Sequence, residues 1–276
     1  MGSVTVNRTD SSAQFAFGEN WASYASLVDE DRLNEAERGI VRLLGPDALR
    51  GHSLLDIGCG SGLHAAAAAR LGAARVIAVD IDARSVETAQ ALLKRHAPQL
   101  AAEVRQASVF DLDPAQIGRF DVVYSWGVLH HTGAMHEAIR CAARLVAPGG
   151  LFAFALYRRT RLCGLWRYEK RWYAAASPRA QALARKIYVT ALRGRFLATG
   201  RDFSAYVANY KDSRGMDFSH DVHDWMGGHP YESIAADEVG RMMADLGFAH
   251  VRSFTQPLSL GLFGSGCDEY VYRRVG

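Results

Sequence analysis

The sequence predicts an α/β protein with a doubly wound, mostly parallel sheet, and three observations predict it. Between residues 53 and 157, short apolar runs alternate with amphipathic helical segments, the pattern of parallel strands covered by helices on both faces. The first run passes straight into a helix through Gly58-Cys59-Gly60-Ser61-Gly62. The second run ends on Asp80, 20 residues after Gly60, where such folds set a carboxylate against ribose hydroxyls.

Each element has its own signal. Leu33, Ala36, Ile40, Leu43 and Leu44 recur at helical spacing over 29–44, and Gly45-Pro46 ends that helix. Strands are expected at 53–57, 75–80, 104–107, 121–125 and 151–156, with helices to Leu71, over 83–96 and over 135–146, and a turn at Pro148-Gly149-Gly150. The periodicity then changes. Residues 158–214 read as two or three helices with no strand, 235–247 as a helix, and 249–255 and 267–273 as two last strands. The chain therefore divides into 1–157 (N-terminal helices and a ligand-binding core), 158–230 (a helical cap insertion) and 231–276 (a helix and two strands completing the sheet).

Composition narrows the class. The chain has 276 residues, 49% hydrophobic and 22% charged, which excludes disorder, collagen and coiled coil as the main architecture. No apolar run approaches the ~20 residues that span a bilayer. Met1 to Asp10 lacks a signal-peptide pattern, and Cys59, Cys141, Cys163 and Cys267 show no CxxC spacing, so reduced thiols and a cytoplasmic location are expected. The net charge of +3 conceals a division. Residues 158–214 carry 14 basic and three acidic residues, a net of +11, which leaves −8 for the rest. That segment also holds nine of the 28 aromatic residues.

The loop is the most informative stretch. Glycine lets backbone lie against a ligand because no Cβ intrudes. A nicotinamide-binding loop would need its third glycine at position 63, but that residue is Leu63 and the third glycine is Gly62. The GxGxG spacing after Asp56 argues for an adenosyl ligand without a pyrophosphate. Leu54 to Gly62 resembles motif I of the class I S-adenosylmethionine-dependent methyltransferases. Val79-Asp80-Ile81-Asp82 resembles the acidic element after it, Gln106 to Phe110 the adenine loop, Phe120 to His131 motif IV, and Ala147-Pro148-Gly149-Gly150 the turn before the fifth strand. Ser108 stands where many members have Asp. Phe17-Gly18-Glu19-Asn20-Trp21, Tyr24, Asp224-Trp225-Met226-Gly227-Gly228 and Pro230-Tyr231-Glu232 resemble a bacterial small-molecule subgroup similar to ubiquinone-pathway methylases.

The resemblance implies a Rossmann-like methyltransferase fold of seven strands, the last antiparallel, with S-adenosylmethionine as cofactor and no metal. It places the cofactor against Trp21, Asp56, Gly58, Cys59, Gly60, Gly62, Asp80, Ile81, Ser108, Val109, Ser125 and Trp126. His130 and His131 follow the fourth strand at the edge where ligands bind in such sheets, and an imidazole there suits a general base. Tyr24 joins them as a catalytic candidate. Trp21, Tyr24 and Trp126 suit a sulfonium, since ring faces attract cations. Tyr173, Tyr206, Tyr210, Asp224 and Trp225 are the substrate-facing candidates, the last two in a Gly/Pro-bearing loop shaped for a lid.

The expected reaction is methylation of a small metabolite by in-line transfer, which is mostly positioning. A rival keeps the cofactor: its own amine attacks the aminocarboxypropyl carbon, closing azetidine-2-carboxylate and releasing methylthioadenosine. An RNA methyltransferase and a non-catalytic binding protein stand behind these. The arginines of 158–214 scatter at helical intervals among aromatics rather than forming a dense run, which disfavours nucleic acid as partner. An anionic small molecule or a second copy of the chain, docking its acidic body on the basic insert, would use the same charge.

Overall fold

The computed structural model describes residues 17–98, 102–210, 217–257 and 259–276. The N-terminal decapeptide read for a signal, and Lys211, Asp212 and Arg214 of the basic segment, lie outside them.

Helices α1 (Phe17–Ala25) and α2 (Glu30–Leu44) precede the sheet. Asp29 caps α2 by accepting the Arg32 N–H at 3.0 Å. Strands and helices then alternate: β1 (Ser53–Ile57), α3 (Leu63–Arg70), β2 (Arg75–Asp80), α4 (Ala83–His96), β3 (Glu103–Gln106), the short α5 (Pro114–Ile117), β4 (Phe120–Trp126), α6 (Met135–Arg144) and β5 (Val146–Tyr157). Four helices follow, α7 (Cys163–Ala175), α8 (Pro178–Ala198), α9 (Phe203–Ala208) and α10 (Phe218–Gly227), before α11 (Ala236–Asp245), β6 (Phe248–Phe254) and β7 (Cys267–Arg274).

The seven strands run in the order β3-β2-β1-β4-β5-β7-β6. β1 pairs parallel with β2 and with β4, whereas β7 runs antiparallel between β5 and β6. Strand order reverses between β1 and β4, so a crevice opens at their carboxyl ends, where ligands bind in such sheets. One face buries Leu55, Ile57, Val123, Phe152 and Phe154 against Ile139 of α6 and Met243 of α11. The other buries Leu54, Val122 and Tyr124 against Leu33 of α2, Ala65–Ala68 of α3 and Leu92 of α4.

The structure departs from expectation in two places. The turn expected at 148–150 lies within β5: Phe120 pairs with Val146 and pairing resumes at Val122 with Leu151, so Pro148-Gly149-Gly150 bulges out. Gly150 permits this, because a Cβ there would stand 2.8 Å from the Asp121 carbonyl oxygen. Asp224 and Trp225 sit on the last turns of α10 rather than in a loop. Asp217 caps that helix by accepting the Ser219 and His220 N–H groups, each at 3.0 Å, and nothing breaks it before Gly227-Gly228.

No helix among the described residues is long and apolar enough to cross a membrane. Among the same residues no group of His, Cys, Asp and Glu could hold a metal ion.

Candidate functional site

The glycine loop lies at the β1 end of the crevice. Gly58 has φ +75, and a Cβ on it would stand 2.4 Å from Val128 beyond β4. Gly60 has φ +52, and its Cβ would meet the Trp21 indole at 3.0 Å. A side chain at either position is both strained and obstructed. Trp21 is thereby placed over the loop by α1. The Gly60 N–H donates to Asp80 Oδ2 at 2.9 Å and the Asp82 N–H to Asp80 Oδ1 at 2.9 Å. Asp80 therefore ties the loop to the end of β2 and retains lone pairs for further donors. Burial pushes its pKa upward, against the two backbone donors.

Asp56, at the same mouth, is only 3% exposed and its Oδ2 has no hydrogen-bond partner. Desolvation, with the Asp80 charge second, raises its pKa to about 7. A buried carboxylate oxygen with no donor is costly and is complementary to a ligand's cationic donor. Cys59 is buried in the loop and burial pushes its thiol up, which excludes an activated thiolate there.

Beyond Asp80, Ile81 is exposed and the Gln106 side-chain amide donates to its carbonyl at 3.0 Å. Ser108 caps a short 3-10 turn by accepting the Phe110 N–H at 3.4 Å, with Val109 buried behind it and Phe110 partly exposed. Ser125 lies near the carboxyl end of β4. Its hydroxyl donates to the Ile57 carbonyl at 3.0 Å and its side chain is fully buried, so it staples β4 to β1. Ser125→Ala should destabilise the fold by about 1–2 kcal/mol, read by urea unfolding, and leave cofactor affinity unchanged. A tenfold loss of affinity at full stability would place Ser125 in the site instead. The Trp126 indole N–H donates to Glu269 Oε1 at 2.9 Å, and Arg42 pairs with Glu269 at 2.5 Å.

The two histidines are buried at the β4 end. His130 Nδ1 lies 3.3 Å from the Tyr157 backbone N, the Ala155 carbonyl also bonds the ring, and Nε2 is buried without a partner. Its ring packs on Tyr157 at 3.9 Å and on His131 at 4.3 Å between centroids. His131 Nδ1 donates to the Pro230 carbonyl at 2.8 Å, and its ring edge packs on Gly228, where a Cβ would stand 2.5 Å from Cε1. Desolvation holds both imidazoles neutral, His131 with a pKa of about 3. In this arrangement His131 carries its proton on Nδ1 and its lone pair on Nε2, and it anchors the 228–230 turn.

Asp224 meets the same crevice from α10. Asn20 of α1 donates to its Oδ1 at 3.3 Å, and desolvation, with Asp221 second, raises its pKa to about 7. Tyr24 is buried between Trp21 (5.8 Å), the His220 ring (6.4 Å) and the Arg32 guanidinium, its pKa pushed up to about 12 by burial. Tyr173 is fully buried, its hydroxyl 2.8 Å from His223 Nδ1 and accepting from Arg185 at 2.5 Å. Tyr206 and Tyr210 stand apart with Phe196, Phe203 and Phe218, and Tyr210 donates to Asp221.

Sequence reasoning missed Lys170. Trp166, Lys170 and Tyr173 lie one and two turns apart on α7, and all three are buried. That i, i+4, i+7 spacing was the signal that Lys170 shares the apolar face. Its Nζ lies 3.5 Å above the Trp225 ring and within 6 Å of the Tyr157 and Tyr231 rings. The +11 segment is therefore not one surface. Arg158 is buried too, donating to the Ser265 carbonyl at 3.0 Å and to Pro257, and Arg159 pairs with Glu238 at 2.9 Å.

Comparison with known proteins places this geometry. Residues 55–154 match the family model described as "Methyltransferase domain". Over that segment the chain is similar to this family. Its matched segment contains the glycine loop, Asp80, His130 and His131. Among curated proteins, the ubiquinone biosynthesis O-methyltransferase of Methylocella silvestris is 39% identical over 117 residues, 42% of this chain and 43% of that protein. The enzyme of the same description from Caulobacter vibrioides is 38% identical over 112 residues, 40% of this chain and 42% of that protein. The chain thus spans less than half the length of these relatives. A magnesium protoporphyrin IX methyltransferase from Synechocystis, solved with bound SAH, superposes with a TM-score of 0.53 at 15% identity over 88% of this chain and 84% of that one. The N-methyltransferase NodS from Bradyrhizobium japonicum, also with SAH, gives 0.51 at 14% over 94% and 98%. These two similarities establish the Rossmann-like methyltransferase fold.

Proposed function

We propose that this protein is an enzyme that transfers a methyl group from S-adenosylmethionine to a small molecule enclosed beneath the helices inserted between β5 and α11. One observation carries the reading: the orphaned, buried Oδ2 of Asp56 at the mouth of a loop whose glycines a Cβ would block. A sulfonium cofactor with an amino-acid tail supplies the missing cationic donor and brings an activated methyl. The ubiquinone biosynthesis O-methyltransferases and the SAH-bound structures support the same choice.

In this reading Asp56 holds the amino group, Asp80 accepts the ribose hydroxyls through its remaining lone pairs, and Ile81, Ser108 and Val109 frame the adenine. Gly58, Cys59, Gly60 and Gly62 admit the ligand against backbone. Trp21 lies over the loop and keeps water from it. The acceptor enters along Tyr24, His130, Tyr157 and Asp224. Asp224, with a pKa near neutrality, is the base for a hydroxyl or amine acceptor.

Calorimetric titration with S-adenosylmethionine is the first test. Binding should weaken about 10–100-fold in Asp56→Asn, which cannot form a charge-assisted contact. Absence of binding to the wild type overturns the reading. Incubation with the cofactor alone then separates the rival: methylthioadenosine without an acceptor means cyclisation, and S-adenosylhomocysteine only with an acceptor means transfer.

A further inference from the structure

We propose that the ring cage around Lys170 is the receptor for an anionic oxygen group, a carboxylate, on the acceptor substrate. The inference rests on the methyl-transfer reading and specifies the substrate class that reading leaves open.

The cage is built from four elements. Tyr157 ends β5, Lys170 comes from α7 with Trp166 one turn before it, Trp225 comes from α10, and Tyr231 follows the Gly227-Gly228 turn. Tyr157 and Tyr231 lie 5.2 Å apart between ring centroids, Tyr157 and Trp225 5.1 Å, and Trp166 and Trp225 5.4 Å. His130 adds its ring to Tyr157 from the β4 side. His130 follows Val128 by two residues, and Val128 lies against Gly58, where the glycine loop begins.

Lys170 Nζ and Trp225 Nε1–H are buried donors without a hydrogen-bond partner, and His130 Nε2 and both Glu169 carboxylate oxygens are buried without one as well. The side chains of Lys170 and His130 are fully buried. Lys170 and His131 both depress proton binding by His130, which sets the ammonium and the imidazoles in one electrostatic environment. The acidic groups acting on Lys170 are Glu169 and Asp224. Glu169 is the adjacent residue, so its side chain leaves the helix about 100° away. Asp224 already accepts from Asn20. Neither supplies a hydrogen bond to Nζ.

A lysine kept for stability would have an acceptor. A methionine of similar length would pack among the same rings without the desolvation cost of an ammonium. The ring faces offset part of that cost, but the ammonium still lacks a hydrogen-bond acceptor, which a group arriving from outside would supply. A carboxylate can accept from Nζ and match its charge. The surrounding rings then hold the apolar body that carries it, as in ligand sites with a few convergent polar groups.

The test uses the full-length protein loaded with S-adenosylhomocysteine, with benzoate and its neutral isostere benzamide as probes in calorimetry. Benzoate should bind about 10-fold tighter than benzamide, a ratio typical of one charge-assisted contact. In Lys170→Met that preference should fall to within about 3-fold while S-adenosylhomocysteine affinity stays at the wild-type value. Lys170→Gln, which keeps a neutral donor of similar length, should fall between them. The empty Lys170→Met protein should also melt above the wild type, because the unpaired cation is gone. Equal binding of the two probes to the wild type, no measurable binding of either, or a benzoate preference that survives Lys170→Met overturns the proposal. Loss of S-adenosylhomocysteine binding by the wild type would instead remove the methyl-transfer reading itself.

Discussion

Asp224→Asn should lower kcat by about 10²–10³-fold with little change in KM, the effect of deleting a general base that does not otherwise bind substrate. The substitution keeps the shape of the side chain and an oxygen for the Asn20 amide, 3.3 Å away. What it removes is the ability to take a proton. In the wild type the carboxyl is half ionised near pH 7 because burial and Asp221 raise its pKa. It is a base only when ionised, so turnover should fall as pH drops below about 7, and the variant should lack that limb. Release of S-adenosylhomocysteine against pH measures both. A profile with the same limb near pH 7 in the variant would assign the proton transfer elsewhere.

The same shift has a consequence that needs no acceptor. The folded-state pKa of Asp224 lies above its ordinary value of 3.8. Between the two the native state holds the extra proton, so the contribution of Asp224 to stability is full below pH 3.8 and is lost as pH rises through about 7. Above that pH the native state carries a buried carboxylate, and Asp224→Asn should be more stable than the wild type by up to about 4 kcal/mol at pH 8. The difference should vanish toward pH 4. Denaturant midpoints at the two pH values read it.

The fold was legible because its signals are local. A strand entering a glycine turn, a helix with apolar residues at a 3.6 period and a carboxylate at the next strand end each depend on neighbours in the chain, and β1, α3 and β2 appear at the expected residues. The β1–β2 edge of the crevice was legible for the same reason: Asp56, Gly58, Gly60 and Asp80 come from two consecutive strand ends. The β4 side was read less well because four segments separated by up to about 200 residues converge there. Asn20 meets Asp224, and His131 meets Pro230. The i, i+4, i+7 spacing of Trp166, Lys170 and Tyr173 marks one helix face, but not that rings from β5 and α10 close over the lysine. The backbone partners of His130, Tyr157 and Ala155, were equally out of reach. Ser125 and Trp126 close β4, whose side chains alternate between faces, and their partners Ile57 and Glu269 come from other strands that no local pattern names.

Asp80→Ala should raise the Kd for S-adenosylmethionine by about 10²–10³-fold while changing folding stability far less. The two effects separate because Asp80 is engaged in opposing ways. It accepts the Gly60 and Asp82 N–H groups, and losing those bonds costs about 1–3 kcal/mol. Against this, its own carboxylate is desolvated and it repels Asp56, which lies in the same buried mouth. Removing it relieves both penalties, so the empty protein should stay folded with a melting temperature near that of the wild type. Binding has no such offset. The ribose loses its charged acceptor, and Gly60, no longer fixed by Asp80, leaves the conformation that admits the ligand beneath Trp21. Asp80→Asn should fall between, since it keeps one oxygen for the Gly60 or Asp82 N–H but not the charge. Calorimetry beside thermal unfolding reads the two quantities on one preparation. An affinity unchanged in Asp80→Ala would mean that the crevice at the ends of β1 and β2 is not where the cofactor lies.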